Sequence, residues 1–178
     1  MPSLQSLTKA RLRDALLRTQ DMPTGYSPEQ SGLGARTTRA ICNAHYNTTA
    51  LRQASVVYTK STYGPFVLEK ISTYHDANRT LDESIRAAGT CRRWTERDGT
   101  VVHVAPLSFP RIGDQTLALR FTLGGVEAPV IYWRRGNVIG QISESSPIVG
   151  ADTDLLLRLA RKADRRLVLS LGSTSPGA

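Results

Sequence analysis

The strongest constraint on this chain is the punctuation of its second half. Between residues 92 and 143, short runs of mixed apolar and polar character are broken by the turn-forming pairs Asp98-Gly99, Gly124-Gly125 and Gly136-Asn137. Alternation with period two belongs to a half-buried strand, because successive side chains point to opposite sides of the pleat. Leu117, Leu119, Phe121 and Leu123 alternate in this way with Thr116, Ala118, Arg120 and Thr122. Asp98-Gly99 predicts a type I′ turn between strands at 92–97 and 100–107, since both residue types tolerate positive φ. Further strands fall at 129–135 and 138–143. Tight hairpins join antiparallel neighbours, so the sheet should be antiparallel.

The first half mixes both periodicities. Leu4, Leu7, Leu12, Ala15 and Leu16 fall within about half the circumference of a helix, with Lys9, Arg11 and Arg18 mostly opposite. That helix ends before Pro23, because the residue preceding a proline avoids the α region. Residues 21–40, rich in Gly, Pro, Ser and Thr, read as an irregular segment long enough to be functional or to be pinned at Cys42. Strands follow at 54–60 and 66–74. A second helix opens on the capping box Thr80-Leu81-Asp82-Glu83, or one turn earlier at Asp76. It turns Leu81, Ile85 and Ala88 inward and stops at Gly89. Asp152 or Thr153 caps a last helix that buries Leu155, Leu156, Leu159, Ala163 and Leu167. Strands outnumber helices and few βαβ units are available. This predicts an α+β domain, a mostly antiparallel sheet of about six or seven strands with helices packed on one face. One globular domain spans 1–170, and 171–178 read as a disordered tail.

At 178 residues the chain can bury a core without a staple. Its 23 Lys and Arg against 15 Asp and Glu leave a net charge of +8, which attracts nucleic acid, anionic lipid headgroups or phosphate-rich wall polymers. No apolar run reaches the ~18 residues of a membrane span, and the N-terminus lacks the apolar core of a signal peptide. The protein is therefore expected in the cytosol, or outside it with an export signal upstream of Met1. Cys42 and Cys91, with no histidine cluster beside them, fall short of the roughly four ligands of a zinc site. They are one disulfide or two separate thiols. A bridge would close a loop of roughly 50 residues, worth ~4 kcal/mol by loop entropy, and would persist only in an oxidising compartment.

No catalytic constellation emerges. His45, His75 and His103 lie on different elements, and no G-x-S-x-G, H-E-x-x-H or G-x-x-x-x-G-K-[ST] is present. Gly32-Leu33-Gly34 follows no strand, so it makes no dinucleotide site. The chain reads as a non-enzyme, with no catalytic residues, metal or cofactor. Two groups of side chains point to binding instead. Arg158, Arg161, Lys162, Arg165 and Arg166 crowd the last helix, either as a solvated face or as a footprint for anionic membrane or wall polymer that salt would weaken. Tyr58, Arg120, Tyr132, Trp133 and Arg134 lie on strands expected to be neighbours, with Tyr74 and Trp94 at strand ends. They either line an amphipathic anion-binding groove or pack as ordinary core and cross-strand pairs. Nucleic acid is disfavoured, since aromatics are 6% and no recognition helix, RRM or OB signature occurs.

Several segments in combination suggest a family. Met22-Pro23-Thr24-Gly25-Tyr26 follows the first helix, with a cysteine in the next loop. A strand ends in Tyr74-His75-Asp76, and a helix closes on Cys91-Arg92-Arg93-Trp94. A hairpin carries Val130-Ile131-Tyr132-Trp133-Arg134-Arg135-Gly136-Asn137-Val138-Ile139, and a short amphipathic helix ends the domain. In this layout the chain resembles the PknH-like extracellular sensor domain family of mycobacterial-type kinases and actinobacterial lipoproteins. The resemblance covers about residues 10–168, in element order and spacing more than in identity. It implies an exported domain, usually anchored by an N-terminal lipid, that binds an unidentified ligand and has no catalytic residues; with the +8 charge, the expected partner is a small or anionic envelope ligand. It also implies that Cys42 and Cys91 are bonded. Family members often carry two disulfides, whereas this chain has cysteines for one. Two functions remain: an extracytoplasmic ligand-binding sensor module, or a cytosolic basic domain that binds nucleic acid or a partner protein.

Overall fold

The computed structural model describes residues 7–29, 41–43, 49–96, 98–147 and 150–172. Its frame is one antiparallel sheet of eight strands, with three α-helices. In chain order the strands are β1 (Ser27–Pro28), β2 (Arg52–Thr59), β3 (Phe66–Thr73), β4 (Arg93–Thr95), β5 (Val101–Pro106), β6 (Gln115–Leu123), β7 (Val126–Arg135) and β8 (Val138–Ser145). The helices are α1 (Lys9–Ala15), α2 (Ala77–Thr90) and α3 (Thr153–Gly172). Across the sheet the order is β1-β2-β3-β8-β7-β6-β5-β4. The chain leaves the middle of the sheet at β3 and reaches the far edge through α2. It then meanders back until β8 closes on β3, pairing Phe66 with Ser145 and Thr73 with Val138. The α+β class and the antiparallel sheet are as expected. The strand not expected is the two-residue edge β1, too brief to show any periodicity, while β4 keeps only the middle of the expected run 92–97.

Helices cover both faces, not one. On β7, Ile131 and Trp133 point toward α3, where Leu156, Leu159 and Ala163 complete a buried cluster. Leu12 and Leu16 of the α1 segment join Ile71, Val138 and Leu167 on the same side. The alternate residues, Tyr132 of β7 and Ile139 of β8, face α2 through Leu81. Leu119, Val104 and Ile41 pack against Ala88. The central strand β8 is accordingly buried along almost its whole length. Its neighbour β7 carries the near-continuous apolar run 130–133, which marks a strand covered on both sides.

Local boundaries follow backbone hydrogen bonding. Asp76, not Thr80, caps α2, its carboxylate accepting from Arg79 N–H at 2.9 Å. Thr80 lies inside the helix and donates back to the Asp76 carbonyl. Gly89 also lies inside, and α2 runs to Thr90. The Asp98-Gly99 turn is not the expected two-residue hairpin, because Gly99, at positive φ (85°), donates its N–H to the Glu96 carbonyl. A longer loop closes there, with Glu96 N–H bonded to the Thr100 carbonyl. Gly124 and Gly125 are both at positive φ, as a type I′ turn requires. Asp152 caps α3 by accepting from Leu155 N–H at 2.8 Å. That helix extends to Gly172 because Leu171 still packs on the α1 cluster. The rest of the expected tail, 173–178, lies outside the described residues.

Candidate functional site

Between α1 and the 3-10 turn Thr19–Asp21 the backbone is extended, and the groups it frees in the interior need partners. Leu17 N–H donates to Glu69 Oε2 at 2.6 Å, and its carbonyl accepts from Tyr58 Oη at 2.9 Å. Tyr58 is therefore a core residue holding this link to the sheet. Glu69 is fully buried, and burial pushes its carboxyl up to about 8. Glu144, also buried, accepts from Asp152 N–H at 3.0 Å, and burial raises it to about 7. The sequence reading missed both acids. Their signal was parity, since Glu69 alternates with Val67 and Ile71, and Glu144 with Ile142.

The link segment is also tied to α3, and this divides the basic residues of that helix. Arg166 donates from Nε to the Leu16 carbonyl at 2.7 Å and from Nη2 to the Asp14 carbonyl at 2.8 Å. Its Nη1 lies 3.5 Å from Asp21 Oδ2. Lys162 Nζ donates to the Asp21 carbonyl at 2.9 Å. Both cations are structural. Arg158, Arg161 and Arg165 are exposed on the outer face of the helix. Together with Lys162 they rim a groove of about 470 Å³ between α3 and Gln20–Pro23, into which Met22, Pro23, Leu155 and Leu159 present apolar surface. Apolar surface bordered by guanidinium groups that pair with no acid among the described residues suits an amphipathic anion.

The five residues expected to share a groove do not converge. Tyr58 and Trp133 are interior on the α1/α3 side, and the Trp133 ring lies over Gly140, its cross-strand partner. Tyr132 and Arg134 point to the α2 side. Arg120 is more exposed and lies 3.8 Å from Glu127. Arg134 and Arg135 are both engaged in ion pairs within the fold. Asp114 accepts from Gly136 N–H at 2.8 Å and from Arg134 Nη1 at 3.2 Å, while Arg135 grips Asp164 of α3 through two bonds of 2.9 and 2.7 Å. Arg134, with Asn78, Phe109, Arg111 and Gln115, lines a second, polar hollow of about 530 Å³. Trp94 packs edge-on against Phe121 at 5.9 Å.

Cys42 and Cys91 form a disulfide with Cα atoms 6.1 Å apart, tying the chain after Ile41 to the end of α2. His75 and His103 are both exposed, on the β3–α2 connection and on β5, and His45 lies outside the described residues. Among the described residues no group of three or more His, Cys, Asp or Glu is placed to hold a metal ion. No described helix is long and apolar enough to cross a membrane.

No protein-family model matches the sequence, and no curated protein matches it. Its fold is similar to that of the PknH extracellular domain. The crystal structure of that domain, from Mycobacterium tuberculosis, superposes with a TM-score of 0.66 at 13% sequence identity. The match covers 92% of this chain and 97% of the PknH domain, so it concerns the whole architecture and not a shared hairpin. At that identity the likeness to PknH is one of fold.

Proposed function

We propose that this chain is an extracytoplasmic, non-enzymatic, sensor-type domain of a cell-envelope lipoprotein that binds an anionic envelope ligand along α3. The observation that carries the reading is the ridge of Arg158, Arg161 and Arg165, turned outward beside an apolar-lined groove while neighbouring cations are consumed internally. Two further findings support the compartment. The fold is similar to that of a domain described as extracellular, and the only two cysteines are bonded, as an oxidising environment allows. An N-terminal lipid upstream of this sequence would supply the anchor.

Titration with inorganic polyphosphate tests the site. The parent should bind, and affinity should fall steeply between ~0.01 and ~0.15 M salt as the Debye length shrinks from ~30 to ~8 Å. Replacing Arg158, Arg161 and Arg165 together by Glu should weaken binding on the order of a hundredfold while leaving the thermal midpoint within a few degrees, because all three are exposed. Salt-insensitive binding, or a charge-reversed protein that binds like the parent, would overturn the site.

A further inference from the structure

We infer that the α1/α3 layer rests on an anionic bilayer, with the arginine ridge on the headgroups and Val168 and Leu169 dipping into the interface. This rests on the binding site proposed above and names its partner. At 100° per residue, Arg158, Arg161, Arg165, Val168 and Leu169 fall within roughly 100° of arc on the outer face of α3. Val168 is 44% and Leu169 70% exposed, adjacent apolar side chains that continue the cationic ridge toward the end of the helix. A soluble polyanion satisfies the arginines but has no use for the apolar end. A bilayer serves both, since a cationic stripe carrying exposed Leu or Val suits the boundary between headgroups and acyl chains.

Two other observations agree. Charge differs between the helices: α1 adds exposed Lys9 and Arg13 to the same layer, and Arg18 follows it, whereas α2 on the opposite face balances Arg79 and Arg86 with Asp82 and Glu83 and is followed by exposed Arg92 and Arg93. The acids of the basic layer are partly engaged internally, Asp164 with Arg135 and Asp21 with Arg166. Asp14 and Asp154 are exposed there, Asp154 in the first turn of α3, far from Val168. Leu7 packs in the same cluster as Leu167, so a chain arriving from upstream enters beside the apolar end. A lipid tether there would set this layer against the membrane.

Sedimentation with phosphatidylglycerol-containing and pure phosphatidylcholine vesicles, beside polyphosphate titration, separates the two levels of the proposal. The parent should bind the anionic vesicles and not the zwitterionic ones. Val168→Ser with Leu169→Ser, both at exposed positions, should weaken vesicle binding by about tenfold and leave polyphosphate binding unchanged. The triple Arg→Glu protein should lose on the order of a hundredfold on both. If the serine variant binds anionic vesicles as well as the parent, or the parent binds polyphosphate but no vesicles, the bilayer is the wrong partner and the arginine site stands. If the arginine variant matches the parent on both probes, the site itself falls.

Discussion

A single buried carboxyl shows how far one residue's chemistry reaches in this fold. Glu69 sits on β3 beneath α1 and α3, with one oxygen on Leu17 N–H and the other lacking a hydrogen-bond partner. Desolvation favours its protonated form, and the Leu17 bond and nearby Arg166 offset only part of that. An acid whose folded pKa is raised holds its proton in the native state after the unfolded chain has lost it. Its neutral form is therefore stabilising at low pH, and stability falls as pH climbs from the unfolded value near 4.5 toward about 8. Glu144 adds to the same trend up to about 7. The thermal midpoint should thus be higher at pH ~5 than at pH ~8, and Glu69→Gln, which keeps an acceptor for Leu17 but never ionises, should flatten that slope. An unchanged slope in the Gln variant would assign it to other groups. The parity of β3 pointed Glu69 inward, but nothing in the sequence marked Leu17 as its partner, which depends on where α1 breaks.

At the scale of elements, hydrophobic pattern fixed the types and sheet pairing fixed the rest. The strands of the second half and α3 were legible because each carries its own periodicity over many residues. The start of α2 stayed open between Asp76 and Thr80, and the Asp98-Gly99 loop was misread, because each had two locally adequate solutions, and the surrounding structure chose between them. The aromatic groove failed for a related reason. Neighbouring residues on a strand point to opposite faces, so proximity in sequence separated Tyr132 from Trp133. The glycine of β8 illustrates what register adds. Gly140 opposes Trp133, and a Cβ there would overlap the indole ring, which is fully buried beneath α3. Neither β7 nor α3 can retreat without opening the main core. Gly140→Ala should cost about 3 kcal/mol in denaturant unfolding. Combined with Trp133→Phe, whose smaller ring leaves room for the methyl, the same change should cost distinctly less. Equal costs in the two backgrounds would mean that the clash is relieved elsewhere.

The whole molecule is a sheet with two unlike sides. On one, α1 and α3 form a wide apolar core with a cationic exterior. On the other, α2 covers the sheet through a smaller set of contacts, and the disulfide fastens its end to the segment that follows Ile41. The sequence showed the +8 charge and the two cysteines but not their separation, because sidedness is a property of topology. The separation makes a joint prediction. The bridge joins residues 49 apart, so removing it should release unfolded-chain entropy worth ~4 kcal/mol and lower the thermal midpoint by several degrees. The arginine ridge lies across the sheet from the bridge. Below its own midpoint, the protein with Cys42→Ala and Cys91→Ala should therefore bind polyphosphate with the parent's affinity. Parent protein unfolded without reductant should present no thiol to an alkylating reagent. Two reactive thiols would remove the bridge from the native protein. Lost binding in a folded double-alanine variant would show that the two faces are coupled, and α3 could then not be treated as an independent docking surface.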